Sequence, residues 1–549
     1  MRQAHRNALQ LFRARGVTRP VRESRDRDQS FALGALLVFA CLLAVLTSRH
    51  EPWHDELQAW RLAIDSTGLA DLLRNLRYEG HPVFPFLLFR TLGLASRSWT
   101  AAVVAHALIA GGSAWVVLRY APFTRLHRLM VVFGYYFIYE YAVIVRPYGL
   151  GMLLALAACA AWCGPRRREM TAAILLILLA NTSAVGLALA IALAFGFSVD
   201  AAEGWGGGWW TRPSHRRAVL AAWAIVALVT VTVVLQILPP TDAVYRGGGG
   251  GAVPSQGSLW VFGRSLSLPA RAMLPFAKTL SDGSTQWNTW LLSPTSRMEV
   301  VLTDLLAFAV VLAGALVVSR RRSALLLWVV GCFGFIAFFT LFHPGAARHH
   351  GYITVVFITA VWLAFSGAPT PWSASVARVL GRLEPLRIPA FTLLLLPMLG
   401  AALQLARADG AQQFANASEI VALLRRDHLL DLPIVGASYP WSQPVAALLD
   451  RPIALPIEGR SGTWVDAGRV RHDRPARALI DSTVEELSTV HCQVIVLTDS
   501  DTELSPWLRA QLRRVSAIGV TPMSGRAVAV WLATAPRCAG TVRQGTEMH

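Results

Sequence analysis

The sequence predicts a polytopic α-helical membrane protein of about eleven spans, followed by an α/β domain outside the membrane. Of its 549 residues, 54% are hydrophobic and only 15% are charged, which is too apolar for a set of soluble domains. Apolar runs of about 20 residues, long enough to cross a bilayer, recur from residue 31 to residue 406. From residue 407 onward, short β-type runs alternate with helical stretches, which indicates an α/β domain over 407–549.

The arginines set the orientation of this membrane domain, residues 31–406. Residues 1–30 carry eight Arg against three acidic residues and show no signal-peptide cleavage site, so we expect a cytoplasmic N-terminus and a retained first span. The predicted spans are 31–47, 99–118, 129–145, 147–163, two within 170–198, 218–238, 299–319, 323–342, 351–366 and 388–406. This arrangement places the basic segments between later spans in the cytoplasm and residues 48–98 and 407–549 outside.

The net charge of +18 and the pI of 10.7 could suggest a nucleic-acid partner. However, the arginines cluster in short segments between apolar runs, as in "GPRRRE" and "SRRRS". That distribution is typical of cytoplasmic loops of a membrane protein, and we therefore predict a plasma or inner membrane location, with membrane lipid and not nucleic acid as the partner.

Residues 81–96, "HPVFPFLLFRTLGLAS", are apolar but short and contain two prolines. If this segment crossed the membrane, every later arginine cluster would be placed outside. We therefore predict that it lies in the membrane interface, as an amphipathic helix of the outer loop 48–98.

The stretch "EPWHDELQAW" (51–60) follows the first span and contains the carboxylates Asp55 and Glu56. Trp53, Leu57 and Trp60 surround these two carboxylates with interfacial apolar groups. We expect partial desolvation to raise the basicity of such a carboxylate, which suits a general base. The residues by themselves favour a structural role over a catalytic one.

Motifs in this loop add a family resemblance. "HDELQAWRLA", followed about twenty residues later by "RYEGHPVFPFLL", resembles the first outer loop of the GT-C superfamily of integral-membrane glycosyltransferases, in the style of its protein mannosyltransferase and aminoarabinose transferase branch. The similarity extends to "YEYAVIVRPYGLGMLLA" (139–155) and "HPGAARHHGYITVVFITAVWLA" (343–364). The chain departs from the pattern at Pro82-Val83, where many relatives have two consecutive prolines.

The resemblance implies transfer of a sugar from a polyprenyl-phosphate donor to a glycan, lipid or protein acceptor on the extracytoplasmic face. Such a donor is an anion at the membrane boundary, so its site needs fixed cations there. The candidates for donor phosphate binding are Arg146, Arg348, His349 and His350, all predicted near outer span ends. An arginine at a span end is also a common anchor in the headgroup region.

Within the same resemblance, Asp55 is the expected general base and Glu56 a supporting hydrogen-bond acceptor or a metal ligand. A single base and a direct displacement imply inversion at the anomeric carbon. Glu79 and His81 are candidates for substrate binding, although both also suit a turn. No motif of the H-E-x-x-H kind occurs in the sequence. Whether the protein uses a divalent metal stays open, and no other cofactor is expected.

Three other functions and two further features stay open. An oligosaccharide ligase or polymerase would use a lipid-diphosphate donor, a lipid or solute transporter could have as many spans, and a scaffold would explain the outer domain.

The glycine run at 245–253 lacks the Lys-Ser/Thr of a phosphate-binding loop and fits a linker better than a lid. Cys492 and Cys538 could form a disulfide on an oxidising side of the membrane.

Overall fold

A computed structural model describes residues 18–204, 212–241, 243, 265–281, 283–293, 296–466, 475–499, 502–519, 521 and 527–538. The glycine run at 245–253 and most of the arginine-rich N-terminal segment lie outside the described residues, so the predictions made for them stay predictions. Within the described part, a helical region precedes a smaller region with a mixed sheet. This confirms the predicted fold class of a mainly helical protein with a C-terminal α/β domain.

The helices follow the apolar runs closely. In chain order they are α1 (Thr18–Arg49), α2 (His54–Asp65), α3 (Leu69–Asn75), α4 (Phe84–Ala95), α5 (Trp99–Tyr120), α6 (Arg125–Val132), α7 (Pro147–Cys163), α8 (Glu169–Ala180), α9 (Ala184–Gly204), α10 (Pro213–Ile237), α11 (Leu268–Met273), α12 (Arg297–Val318), α13 (Arg322–Leu341), α14 (Ala347–Phe365), α15 (Ala374–Leu383) and α16 (Arg387–Ala411). Ten of the eleven predicted spans lie in continuous helices, and the segment 170–198 divides at Asn181–Ser183 as predicted.

Seven of the helical segments in the described part are long and apolar enough to cross a membrane. They are Asp26–Arg49, Trp99–Tyr120, Ala184–Gly204, Pro213–Ile237, Arg297–Val318, Arg322–Leu341 and Ala374–Ala411. Shorter apolar helices, α4, α7 and α8, accompany them. These helices identify a multi-pass membrane protein, whereas the total of eleven spans stays a prediction.

The predicted span 129–145 is wrong as a single helix. Helix α6 ends at Val132, Tyr136–Glu140 form one π-helical turn, and irregular backbone continues to Arg146. The side chains of this irregular segment are buried by protein on all sides, and irregular backbone is tolerated at membrane depth only in such surroundings. Gly134 permits the close packing, because a Cβ atom there would lie 3.1 Å from Cβ of Met398 in α16.

The arginine clusters lie together at one end of the bundle. Asp200 in α9 forms an ion pair of 2.9 Å with Arg167 and one of 2.5 Å with Arg321, which belong to two different loops. Arg128 and Asp28 form a further ion pair of 2.9 Å at this end. The arginine-rich segments therefore share one side, as the predicted topology requires. The compartment that this side faces stays a prediction.

The outer loop 48–98 contains the predicted helices, namely α2, α3 and α4. Its core includes Trp60 of α2, whose ring packs edge to face against Phe89 of α4 at a centroid distance of 5.7 Å. Residues 81–96 do not form a full-length span, because α4 has only 12 residues. The contact of these helices with a membrane surface is still a prediction.

A short hairpin, β1 (Ala277–Thr279) and β2 (Thr285–Trp290), covers the bundle end opposite the arginine clusters. It was not predicted, and it follows the buried helix α11 within the loop between α10 and α12. Asn288 of β2 accepts a hydrogen bond of 3.1 Å from the backbone N–H of Ala347, the first residue of α14. The hairpin is thereby fixed to the start of α14.

The C-terminal α/β domain is built on one six-stranded sheet with the order β5-β4-β3-β6-β8-β7. Its elements are α17 (Ala417–Arg426), β3 (Ile434–Gly436), α18 (Tyr439–Leu449), β4 (Ile453–Leu455), β5 (Arg460–Gly462), α19 (Arg477–Val490), β6 (Gln493–Asp499), α20 (Pro506–Gln511), β7 (Leu512–Ile518) and β8 (Val528–Thr534). Strands β3, β4 and β6 run parallel, and the other pairs are antiparallel. Cys492 and Cys538 form a disulfide that joins the start of β6 to the end of the domain.

The C-terminal domain rests on the outer loop. Helix α18 packs against α2, and Asp450 at the end of α18 forms an ion pair of 2.5 Å with Arg61 of α2. Asp65 of α2 accepts a hydrogen bond of 2.5 Å from the hydroxyl of Thr463 and pairs with Arg97 at 2.6 Å. These contacts hold the domain against the part of the loop that carries Asp55.

Candidate active site

One carboxylate at the bundle end opposite the arginine clusters faces two guanidinium groups. Asp55 lies in the first turn of α2, with 24% of its side chain exposed. Its Oδ2 atom is 3.2 Å from Nη2 of Arg348 and 3.5 Å from Nη2 of Arg146. Its Oδ1 atom is 3.1 Å from Nε2 of His54. The structure thus brings Asp55 together with both arginines predicted for the donor site.

Arg146 reaches Asp55 from the end of the irregular segment, where it is the N-cap of α7. Its Nη1 donates to the backbone oxygen of Asp55 at 2.7 Å, and its Nη2 lies 3.3 Å from Nε2 of His81. Burial and then the charge of Arg146 lower the pKa of His81 to about 3, so His81 is a neutral acceptor for Arg146. The predicted candidate His81 therefore belongs to the same cluster.

Arg348 is held in the first turn of α14 by aromatic side chains. Its guanidinium lies 5.1 Å from the ring centroid of Trp53 and 5.9 Å from that of Trp287, within the range of cation–π attraction. Its backbone oxygen accepts a hydrogen bond of 2.6 Å from the hydroxyl of Tyr141. The contribution of Trp287, from the hairpin, was missed because β2 was not recognised in the sequence.

His349 and His350 make their hydrogen bonds within the protein. Nε2 of His349 lies 2.8 Å from the hydroxyl of Tyr148, and its Nδ1 accepts from the backbone N–H of Ala346 at 2.8 Å. Nδ1 of His350 accepts from the indole of Trp290 at 3.3 Å, and its Nε2 lies 3.0 Å from the oxygen of Pro344. Both ring nitrogens of each histidine are thus engaged within the protein at the start of α14, and their binding to a donor phosphate stays a prediction.

Glu56 is directed into the core and has no exposed surface. Its Oε1 accepts from the backbone N–H of Val145 at 2.6 Å, and its Oε2 accepts from that of Trp53 at 3.0 Å. His50 bridges Glu56 at 3.3 Å and Asp409 at 3.0 Å. Burial lowers the pKa of His50, but the two carboxylates outweigh this and raise it to about 10. Glu56 therefore fixes the loop beneath Asp55.

Glu79 lies near the same cluster, partly buried. Its Oε1 accepts a hydrogen bond of 2.9 Å from the amide of Gln58. Burial raises the pKa of Glu79 to about 7 and outweighs the hydrogen bond from Gln58 and the charge of Arg146, which lower it; the negative charges of Asp55 and Asp466 add smaller increases. Glu79 thus exchanges a proton near neutral pH, next to the candidate base.

The C-terminal domain supplies a wall of this site. The side-chain amide of Gln58 pairs with the backbone of Val465 in both directions, with Val465 N–H to Oε1 at 3.0 Å and Nε2 to the Val465 oxygen at 2.5 Å. The segment that follows β5 therefore lies beside Glu79. Sequence reasoning missed this contact, because one partner is backbone and 407 positions separate the two residues.

The predicted increase in the basicity of Asp55 is wrong for this arrangement. Burial does raise the pKa of Asp55, but Arg146, His54 and Arg348 outweigh it and hold the pKa well below its usual range. Two adjacent guanidinium groups stabilise the carboxylate more than partial desolvation destabilises it.

A metal centre was left open by the sequence. Within the described part of the chain, no group of three or more His, Cys, Asp or Glu side chains is arranged to hold a metal ion. The candidate metal ligand Glu56 already accepts hydrogen bonds with both oxygens. The side chains of the described residues therefore show no such centre, and the metal requirement stays open.

The cluster as a whole is suited to binding an anion. Among the described residues, Arg146 and Arg348 share a single ion-pair partner, Asp55, and the Nε atom of each guanidinium is buried without a hydrogen-bond partner. A phosphate group could therefore form charge-assisted hydrogen bonds to both arginines.

No family model matches this chain, and no curated protein does either. Among solved structures, the chain is similar to ArnT from Cupriavidus metallidurans bound to undecaprenyl phosphate, with 12% identity and a TM-score of 0.46. It is also similar to ArnT from the same organism in the apo state, with 13% identity and the same TM-score. Each comparison covers 91% of this chain and 98% of the other.

Proposed function

We propose that this protein is a membrane glycosyltransferase that transfers a sugar from a polyprenyl-phosphate donor to an acceptor on the extracytoplasmic face. The observation that carries the proposal is the convergence of Arg146 and Arg348 on Asp55 at one end of a helical membrane bundle. A transferase of this kind needs an anion site and a base side by side at the membrane boundary, and this cluster offers both.

The two arginines bind the donor phosphate. Arg146 has only 9% of its side chain exposed and Arg348 only 15%, so water screens their charges weakly. The planar guanidinium can bind two phosphate oxygens at once. As the bond from the sugar to the phosphate breaks, negative charge grows on the phosphate, and these fixed cations stabilise it.

Asp55 accepts the proton of the acceptor hydroxyl or amine. The acceptor atom attacks the anomeric carbon, the bond from that carbon to the phosphate oxygen breaks, and its electron pair leaves with the polyprenyl phosphate. The proton ends on Asp55, so atoms and charge balance. Because this is one displacement by one nucleophile, the configuration at the anomeric carbon inverts.

Glu79 and His81 bind the substrates beside this centre. His81 contacts Arg146, and Glu79 is linked through Gln58 to Val465 of the C-terminal domain. The C-terminal domain thus contributes to the surface that the acceptor meets. An acceptor that is a glycan, a lipid or a protein segment would approach across this domain.

The same proposal includes the orientation in a plasma or inner membrane, with the N-terminus cytoplasmic and the C-terminal domain outside. The grouping of Arg128, Arg167 and Arg321 at the opposite end of the bundle supports it through the positive-inside rule. The disulfide of the C-terminal domain supports it too, since such bonds persist on the oxidising side of the membrane.

The test is a transfer assay with the purified full-length protein in lipid nanodiscs. Radiolabelled polyprenyl-phosphate sugars and, in separate reactions, lipid-diphosphate-linked sugars are incubated with the protein and a membrane extract, and label is sought in a product. From the polyprenyl-phosphate donors we expect label with the parent protein and at least about a hundredfold less with Asp55→Asn. If label arises only from lipid-diphosphate donors, the protein is a ligase or polymerase. No transfer from either donor class would contradict the proposal.

A further inference from the structure

Asp55 is held by the same two guanidinium groups that would bind the donor phosphate. A single atom, Oδ2, receives both contacts, at 3.2 Å from Arg348 and 3.5 Å from Arg146. We propose that the carboxylate of Asp55 and the donor phosphate compete for these guanidinium groups, so that binding of the donor releases Asp55 to act as the base. This inference rests on the proposed function and concerns the order of its steps.

The competition follows from how the hydrogen-bond donors are used. Nη2 of Arg146 and Nη2 of Arg348 both point at Asp55, and Nη1 of Arg146 is engaged by the backbone oxygen of Asp55. Because the Nε atom of each arginine is buried, a phosphate at this place would need the same Nη2 groups. It would also be repelled by the carboxylate if Asp55 kept its position, because two anions would then share one partly buried site.

The phosphate should bind the two guanidinium groups more strongly than the carboxylate of Asp55 does. It offers more oxygens than the carboxylate, and it can pair with two planar guanidinium groups at once. Asp55 keeps a partner when it is displaced, since its other oxygen is 3.1 Å from Nε2 of His54. Its side chain is also 24% exposed, so movement does not strand a charge in the core.

The exchange links donor binding to reactivity. With Arg146 and Arg348 paired to it, Asp55 has a pKa well below the usual range and is a poor proton acceptor. Once the phosphate neutralises these cations, the pKa of the carboxylate rises toward its ordinary value, and the base becomes competent beside the bound donor. The donor should therefore bind before the acceptor proton can be removed.

A binding measurement that does not depend on activity tests this proposal. Affinities of the full-length protein in nanodiscs are measured for farnesyl phosphate and, as an uncharged reference, for farnesol. The variants are Asp55→Asn and Asp55→Ala, which remove the competing charge, and Asp55→Glu, which retains it. Asp71→Asn is the matched control, because Asp71 is also an ion-paired carboxylate of the outer loop with 24% of its side chain exposed.

We expect Asp55→Asn and Asp55→Ala to bind farnesyl phosphate tighter than the parent by about tenfold, in the range of a lost competing ion pair. Asp55→Glu and Asp71→Asn should bind it like the parent, and no variant should change the affinity for farnesol. A thermal unfolding curve for each variant shows whether it is folded. If Asp55→Asn or Asp55→Ala does not fold, the other of these two variants is used.

The outcomes separate this inference from the proposed function. If the parent binds farnesyl phosphate better than farnesol but the neutral variants bind it no tighter, competition is overturned and the proposed function stands. If the parent does not distinguish farnesyl phosphate from farnesol, the phosphate site itself is wrong, and both proposals fail.

Discussion

Nη2 of Arg348 lies 3.2 Å from Oδ2 of Asp55, although 293 positions separate the two residues in the chain. One residue begins a helix of the bundle, and the other begins the first helix of the outer loop. Their contact joins the two most informative sequence motifs into one site.

Asp55→Asn should reduce sugar transfer by about a hundredfold to ten-thousandfold, the range for removal of a general base. The change keeps the shape of the side chain and removes its ability to take a proton. Transfer is measured with the radiolabelled donor, and membrane insertion is measured by fractionation. Asp71→Asn should retain full activity. Transfer by Asp55→Asn within about tenfold of the parent would make Asp55 a structural residue.

Arg348→Ala should weaken binding of a polyprenyl phosphate by about 1.5–3 kcal/mol, the value of hydrogen bonds to a charged group. Arg348→Lys should also weaken it, because an ammonium group lacks the planar fork and the stacking on Trp53 and Trp287. Affinity is measured by titration of the protein in nanodiscs. Arg378→Lys, in the exposed part of α15, is the control. Parent-like binding by both Arg348 variants would show that Arg348 only anchors its helix.

Glu79 should make the protein less stable as the pH rises from about 4.5 to about 7. Its pKa is raised from 4.5 to about 7, so in this interval the folded protein keeps a proton that the unfolded chain has already released. The stabilisation is complete below pH 4.5 and is lost as the pH passes 7. Thermal unfolding of the parent and Glu79→Gln across this range tests it. The difference in Tm between them should change with pH, and a constant difference would contradict the shift.

Loss of the disulfide should destabilise the C-terminal domain. Cys492 and Cys538 are 46 positions apart, and closing a loop of that length in the unfolded chain corresponds to about 4 kcal/mol. Cys492→Ser and Cys538→Ser should therefore lower the Tm equally, and the double variant should lower it no further. A reductant should lower the Tm of the parent but not that of the Cys492 and Cys538 variants. An additive effect of the two substitutions would mean that the cysteines are not joined.

Cysteine labelling in intact cells tests the predicted orientation. Val490→Cys, exposed in α19, should react with a membrane-impermeant maleimide from outside. Val376→Cys, exposed in α15, should react only after the cells are opened. Cys41, the exposed native cysteine among the described residues, is replaced by serine in both. Labelling of position 490 only after lysis would reverse the topology.

The helices were predictable because long apolar runs have few alternatives to a membrane-crossing helix. The failure at 129–145 has a physical cause. Hydropathy cannot distinguish a side chain that faces lipid from one that faces protein, and only protein surroundings allow the break after Val132. The hairpin β1–β2 was missed because six and three residues give too short a pattern to recognise.

The site was predictable where charged residues stood at the ends of apolar runs. Arg146 and Arg348 were found in this way and Asp55 through the family resemblance of its loop, and the structure brings the three together. Sequence could not show that Glu56 points into the core while its neighbour faces the arginines, because that depends on which face of α2 is covered. Residue types could not reveal the pairing of Gln58 with Val465, because Val465 contributes only backbone groups to it.

The pairing of Gln58 with Val465 has a consequence for biogenesis. Ribosomes deliver the outer loop early, but Val465 emerges only after the last membrane helix has been made. Until the C-terminal domain has been made and folded, the wall that Val465 forms beside Glu79 is missing. The bundle alone therefore lacks one side of the candidate site, and the C-terminal domain completes it.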